Sequence, residues 1–402
     1  MITTLGVLAT IMTAKPSDND EAIALKHLAA GNTAFALDLY QQLKVSEGNL
    51  FFSPHSLSAA LAMTYTGARG RTEKEMAQTL RFQLPPAKLP EAFGALDRRL
   101  TKIAGEKQVA LNVANSLWAQ TDYRFTASFL DLNRRHFGAE VALVDFARHT
   151  EATRKRINSW VAEKTADKIT ELLAPGVLSP RTQLVLGNAI YFKGDWARQF
   201  DPSATKQGDF YATPERTVTV PLMYQSLNLK GRELKDGLSV FELPYQGGDL
   251  SMIVLLPTAK DGLGVLEDRL TQENLDRWLA ELERTREVKA QVYLPRFKMS
   301  SRFALEKTLA EMGMASAFGA GADFSGMTGQ RDLFISAVAH EAVVEVNEQG
   351  TEAAAATAVV MERTSISPLQ VFRADHPFLF LIRENQTGSV LFLGRVLDPT
   401  KS

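Results

Sequence analysis

This sequence has six histidines and no cysteine, which excludes thiol catalysis, disulfides and zinc-thiolate sites together. Histidine chemistry must therefore run through His27, His55, His136, His149, His340 or His376. His340-Glu341 opens like the zinc motif H-E-x-x-H, but Val344 stands where the second histidine belongs, and the other histidines show no helical ligand spacing. The phosphate-cradling G-x-x-x-x-G-K-[ST] and the nucleophile elbow G-x-S-x-G are missing, and "GLG" at 262–264 lacks the rest of a dinucleotide fingerprint. No metal or cofactor is expected. A Ser-His-Asp arrangement assembles only in the fold, and His340 is its best candidate base. Yet His340 sits in "FISAVAHEAVVEV", an apolar, strand-like run in which a histidine usually serves as an interior hydrogen-bonding group. That structural role is the preferred reading.

The basic stretch "RHTEATRKR" and the mixed run "ERTREVK" could attract polyanions, although charges at helical spacing are most often a solvated face. With a formal net charge of -1 over 402 residues, no field argues for nucleic acid or a strongly charged partner. The "NQT" sequon at Asn385 matters only in a glycosylating compartment. Residues 1–29 read as an N-terminal extension. The apolar run within "MITTLGVLATIMTAKPSD" is too short to span a bilayer and lacks a basic n-region, so it is a degraded export signal or a frayed terminus. An extracellular or periplasmic location is the expectation, with no membrane partner and a monomeric state.

Several elements must position these residues. "GNTAFALDLYQQL" places Phe35, Leu39 and Leu43 on one helical face, with Asn32 or Thr33 as the cap. "NLFFSPHSLSAALAMTYTGARG" gives Ser53 as N-cap, Pro54 at the first helical position and Gly67 as a stop. "VALNVANSLWAQ", "TQLVLGNAIYFKG", "LSVFELPY" and "LSMIVLLP" read as strands. "TRKRINSWVAEKTADKITELL" and "RFALEKTLAEMGM" read as amphipathic helices, and "FLFLIR" with "SVLFLGRV" as a terminal hairpin. Helices come first, then mixed strands and helices, then strands. Such an order describes one large α+β domain with mainly antiparallel sheets, over residues 30–402.

One stretch fits none of these elements: "VNEQGTEAAAATAVVMERTSIS", residues 346–367. With period two, Thr351, Ala353, Ala355, Thr357, Val359 and Met361 fall on one side without a charge, and Glu352 and Glu362 fall on the other. Small uncharged side chains at alternate positions could enter between existing strands without overpacking. An Ala-rich helix is the competitor, but Gly350, the β-branched residues and the absence of a helical end dilute it. Upstream and downstream runs are core strands, so the segment is a long excursion, of the kind that is functional or disordered.

Taken together, the chain resembles a serpin from about residue 30 to its C-terminus. The resemblance is carried by "FFSPHSLSAALAMTYTGARGRTEKEM", "NAIYFKGDW", "LPYQGGDLSMIVLLP", "LPRFKM", "ADFSGMTG", "HEAVVEVNEQGTEAAAATA" and "HPFLFLIRENQTGSVLFLGRV". It implies three sheets with eight or nine helices, and a suicide inhibitor of serine proteases rather than an enzyme. A protease attacks an exposed reactive-centre loop, here about residues 350–370, and is acylated by it as the peptide bond breaks; the loop then inserts into the central sheet and carries the attached protease with it. The hinge of that loop comprises Glu348, Gly350, Thr351, Glu352, Ala353, Ala354, Ala355, Ala356 and Thr357. Ser53, Ser56, Asn188 and His340 match the family's polar cluster where the sheet strands part, and Trp196 matches the aromatic at the upper opening.

About fifteen inserted residues at roughly 3.3 Å each move the cargo on the order of 50 Å. Burying about 500 Å² of apolar surface at about 25 cal/mol per Å² contributes on the order of 12 kcal/mol, before any ladder hydrogen bonds. The uninserted form should therefore be metastable. Counting seventeen positions with Glu348 as the first, the family's common spacing, places the reactive bond at Thr364-Ser365. One residue fewer gives Arg363-Thr364. Thr364 suits elastase-like or subtilisin-like serine proteases, and Arg363 suits trypsin-like ones; a cysteine protease is a further candidate. The alternative function is a non-inhibitory serpin acting as a binding protein or chaperone.

Overall fold

Alternation along the strands sorts the side chains of the central sheet between two cores. The computed structural model, described for residues 18–106, 109–139, 141–349 and 369–401, places five strands side by side. Their order is Phe297–Ala304, Ile335–Val346, Leu184–Gly194, Val109–Gln120 and Val141–Val144. Leu186, Ile190, Phe192, Val338, Ala342 and Val344 join the main core, while Val185, Ala189, Tyr191, Ala337, Ala339 and Val343 face a second, smaller one. Both faces are covered, which is why Leu184–Gly194 is buried at every position but one and reads as a nearly continuous apolar run.

A six-stranded antiparallel sheet contributes much of the main core. Its order is Leu50–Phe52, Val390–Val396, Phe378–Glu384, Leu250–Pro257, Leu238–Pro244 and Gly231–Leu234. The expected terminal hairpin forms its second and third strands. A four-stranded sheet, ordered Gln370–Arg373, Val288–Pro295, Arg216–Leu229 and Lys206–Thr213, completes the set of three. Ten α-helical segments occur among the described residues. Two of them, Glu306–Leu309 and Ser325–Thr328, are single turns.

Helix Pro54–Tyr65 starts as its sequence dictates: the Ser53 hydroxyl accepts the Ser56 N–H at 3.1 Å, with Pro54 at the first position. Gly67 is also required by space, since a Cβ there would meet the Met327 side chain at 2.2 Å.

Three local expectations are corrected. The cap expected at Asn32 or Thr33 is absent because helix Asp18–Leu43 runs through both positions. Asn32 Nδ2 instead donates to the Val390 carbonyl at 2.8 Å, and the Thr33 hydroxyl donates back to the Ala29 carbonyl at 2.9 Å. The helix predicted through "TADKITELL" ends at Lys164. Beyond it, Ala166 and Asp167 take positive φ angles of 49° and 58°, and the Thr165 hydroxyl accepts the Ile169 N–H at 3.1 Å. Ile169, Leu172 and Leu173 are nevertheless buried, so the apolar spacing was right about burial and wrong about conformation. In "RFALEKTLAEMGM", Arg302, Phe303 and Ala304 belong to strand Phe297–Ala304, and the α-helix Glu306–Leu309 passes into a π turn over Ala310–Met314, within which Gly313 turns the chain at φ 125°.

The smaller core is roofed by helix Phe146–Lys164 through Ile157 and Val161. Trp160 on this helix meets Trp118 of the sheet edge to face, with centroids 5.8 Å apart.

Candidate functional site

Strands Ile335–Val346 and Leu184–Gly194 run parallel as immediate neighbours, each paired antiparallel on its other side. This parallel seam is unusual in a largely antiparallel fold, and a specific polar cluster closes it. His340 lies opposite Asn188 in register, and Asn188 lies opposite Asn115 of strand Val109–Gln120. All three fall on the same side of the sheet, toward helix Pro54–Tyr65. The Asn188 amide nitrogen donates to the Ser56 hydroxyl at 2.6 Å and to Asn115 Oδ1, while Asn188 Oδ1 meets His340 Nδ1. Ser56 Oγ also donates to Asn115 Oδ1 at 3.3 Å. On the far side of the ring, the Ser53 N–H donates to His340 Nε2 at 3.1 Å, and the Ser53 hydroxyl donates to the Leu391 carbonyl at 2.7 Å.

These contacts fix the histidine's state. Nε2 accepts, so the proton resides on Nδ1 and is donated to Asn188. Burial pushes the His340 pKa down to about 3, since a charged ring there would be desolvated. A second donor on Nε2 would also face the Ser53 N–H. His340 is fully buried with both nitrogens engaged, so no substrate reaches it and the candidate role of general base falls away. Ser53, Ser56, Asn188 and His340, grouped in the sequence only by the serpin resemblance, lie together in the structure. Asn115 was missed; its register position opposite Asn188 was the only signal, and that needs the strand order.

Histidine titration gives this site a measurable pH dependence. In the unfolded chain His340 takes up a proton below about pH 6.5, whereas in the folded protein it stays neutral down to about 3. The unfolded state therefore binds more protons between those values, and stability falls as pH drops through that window. His55, pushed down to about 4 by burial, acts in the same sense. Unfolding free energies from urea titrations between pH 7 and 5 are expected to decline with a slope of roughly 1 kcal/mol per pH unit for each histidine. His340→Gln should flatten that slope; an unchanged slope would refute the assignment.

At the upper end of the seam the chain is pinned where strand Ile335–Val346 gives out. The Trp196 indole N–H donates to the Asn347 carbonyl at 2.9 Å, and the Phe200 N–H donates to the Glu348 carbonyl at 2.8 Å. Trp196 is itself stacked on Tyr245 at 4.7 Å. Glu348 is buried and accepts from the Thr205 hydroxyl at 2.7 Å and from Arg296 at 2.5 Å. Burial alone would raise its pKa, but the hydrogen bonds from Arg296 and Thr205 outweigh it and hold the carboxyl below its usual range. Arg296 belongs to "LPRFKM"; its pairing with Glu348 spans 52 residues of sequence and left no local trace.

The remaining hinge residues, Gly350, Thr351, Glu352, Ala353, Ala354, Ala355, Ala356 and Thr357, and the reactive-bond candidates Arg363, Thr364 and Ser365, lie outside the described residues. Of the polyanion candidates, Arg154 is buried, ion-paired with Glu151 and Glu171, and donates to the Leu173 carbonyl at 2.7 Å. It serves the fold. Asn385 Nδ2 of the sequon donates to the Gly248 carbonyl at 2.9 Å and to the Ser251 hydroxyl at 2.8 Å. Among the described residues, no group of three or more His, Asp or Glu side chains could hold a metal ion.

A family model described as serpin (serine protease inhibitor) matches residues 30–399. The chain belongs to the serpin family. It is 44% identical over 382 residues to the leukocyte elastase inhibitor of Sus scrofa, covering 93% of this chain and all of that one. Among solved structures, uncleaved ovalbumin aligns at a TM-score of 0.84 with 32% identity, over 92% of this chain and all of that one. Maspin aligns at 0.86 with 28% identity, over 94% of this chain and all of its own. The three-sheet α+β architecture is thus the serpin fold. As a serpin, the chain is a non-catalytic protease inhibitor.

Proposed function

We propose that this serpin traps elastase-like serine proteases, acylated at Thr364-Ser365, by inserting its reactive-centre loop into the seam between Ile335–Val346 and Leu184–Gly194. One observation carries the insertion step: the two strands are parallel neighbours. A segment leaving the end of Ile335–Val346 and folding back must run antiparallel to that strand. Entering the seam, it becomes antiparallel to both neighbours, the more favourable pairing on each side. No other junction of the central sheet adjoins the strand that leads into the loop and has this property. The choice of target is supported by the small Thr364 and by the likeness to leukocyte elastase inhibitors. Subtilisin-like proteases fit the same residue; trypsin-like and cysteine proteases are further candidates. The encounter is placed outside the cytoplasm, in keeping with the apolar N-terminal run.

Pancreatic elastase, subtilisin and trypsin, each incubated with the protein, test this reading. An SDS-stable covalent complex is expected with elastase, and the C-terminal peptide released on denaturation should begin "SISPLQ". A peptide beginning "TSISPL" would move the bond to Arg363-Thr364. Cleavage of the loop by all three proteases without any complex would refute the inhibitor reading.

A further inference from the structure

Strand Gln370–Arg373 lies at the edge of the four-stranded sheet, held by a parallel ladder to Val288–Pro295 that is only four residues long. The next three residues stitch it to its surroundings. The Ala374 N–H donates to the Tyr293 carbonyl at 2.9 Å, and the Asp375 carbonyl accepts the Tyr211 N–H at 2.8 Å. Through one oxygen the Asp375 carboxylate accepts from Arg373 Nε at 2.9 Å, and through the other it meets His376 Nδ1 at 2.8 Å. His376 is 6% exposed, and its Nε2 lies 2.7 Å from the carbonyl of Pro257, the last residue of strand Leu250–Pro257. Arg373, Asp375, His376 and Pro257 thus form one chain of contacts from the edge of the four-stranded sheet to the six-stranded sheet.

Both ring nitrogens of His376 face acceptors. A carbonyl has no proton to give, so Nε2 must donate to Pro257. The carboxylate has none either: burial alone would push the Asp375 carboxyl up, but the hydrogen bonds from His376 and Arg373 outweigh it and hold the group below its usual range. Nδ1 must then donate as well, and a ring that donates at both nitrogens is the imidazolium. We propose that His376 is a cationic clasp, a charged ring that fastens the C-terminal root of the reactive-centre loop to the six-stranded sheet and releases it on losing a proton. Without that proton, a lone pair faces either the Asp375 carboxylate or the Pro257 carbonyl. Besides Arg373 and Asp375, the elements packed about this junction bring Tyr211 from strand Lys206–Thr213 and Lys260 from the turn after Leu250–Pro257, with the Lys260 Nζ 3.1 Å from the centroid of the Tyr211 ring. The sense is opposite to that of His340, since a proton strengthens the clasp and weakens the seam. The clasp does not depend on which protease is trapped.

Amide hydrogen exchange reads local opening directly. Hydrogen bonds to charged groups are the stronger kind, so protection over residues 369–377 and at Tyr211, corrected for the intrinsic exchange rate, should fall about tenfold in the unaltered protein between about pH 6 and about pH 9. His376→Lys, a cation throughout that range, should keep its protection at both ends. His376→Gln, uncharged throughout, should show the lower protection at both. Strand Phe378–Glu384, which begins two residues further on, should stay protected in all three proteins. Protection that does not change with pH in the unaltered protein would overturn the clasp, as would an equal fall in His376→Lys. A fall that includes Phe378–Glu384 would be a loosening of the whole fold and would overturn it too. Should His376→Gln fail to fold, the unaltered protein and His376→Lys alone decide the outcome.

Discussion

Thr351→Arg is expected to turn the inhibitor into a substrate. Thr351 heads the alternating series Thr351, Ala353, Ala355, Thr357, the uncharged side that must meet the main core when the loop enters the seam. Burying an unpaired guanidinium there costs several kcal/mol. If about 4 kcal/mol of that is felt in the transition state for insertion, the step slows roughly a thousandfold. Deacylation then overtakes insertion, and the protease leaves with the loop cut. Titration of residual elastase activity should show the stoichiometry of inhibition rising more than tenfold, with the covalent complex lost from SDS gels. Glu352→Arg, on the opposite side of the strand, provides the control and should remain an inhibitor. Full trapping by Thr351→Arg would show that the register of the entering strand is wrong by one.

Asn188→Ala should weaken the uncleaved protein and spare the cleaved one. Asn188 joins His340 to Ser56 and Asn115, and its removal leaves the His340 Nδ1–H without a partner in a buried site and the Asn115 oxygen with the Ser56 hydroxyl alone. An orphaned buried donor costs on the order of 1–3 kcal/mol, and the deleted side chain adds a small cavity, so a loss of about 3 kcal/mol is expected, or on the order of 4 °C in a chain this long. The selectivity comes from geometry. Neighbouring strands sit about 4.8 Å apart, and inserting one between them doubles the distance, which no His340–Asn188 hydrogen bond survives. The cluster thus stabilises the closed seam specifically. Thermal unfolding before and after loop cleavage separates the two forms: a drop of several degrees is expected in the first and less than one degree in the second. Equal shifts in both would mean that the cluster serves general packing. A His340→Ala exchange combined with Asn188→Ala should cost less than the sum of the two, since they share one network.

Much of this was legible in the residues themselves. Strand Val109–Gln120 occupies the whole of "VALNVANSLWAQ", because alternation bounded by turn residues survives in the fold. The Ser53 cap and Pro54 start were equally readable, being local chemistry. Helix boundaries failed where a side chain that resembles a cap had a tertiary partner: Asn32 is held by the Val390 carbonyl, 358 residues away. Asn115 was illegible for a related reason. An asparagine in an alternating strand reads the same whether it faces solvent or another asparagine, and only the order of strands decides. His340 could be placed in a strand from its neighbours, but its pairing with Asn188 came from family likeness. The Arg296–Glu348 anchor is a contact between two separate motifs, and nothing within either one signals it.

The side chains along the smaller core also bear on how the sheet could open. Beneath helix Phe146–Lys164 the two seam strands present Ala337, Ala339 and Val343 on one side and Val185, Ala189 and Tyr191 on the other, with Ala114 close by. Tyr191 apart, a layer resting on such short side chains has shallow corrugation along the seam, and the aromatic interlock of the roof, Trp160 against Trp118, falls on the neighbouring strand Val109–Gln120. Few knobs need to withdraw from holes when it shifts, so sideways displacement sacrifices few close contacts compared with a fully interdigitated core. The main core offers no such surface, with Phe192, Phe297, Phe380 and Phe392 crowded beneath it. The sheet therefore has a smooth side and a gripped side: the strands can slip under the helical roof while their other face keeps its hold.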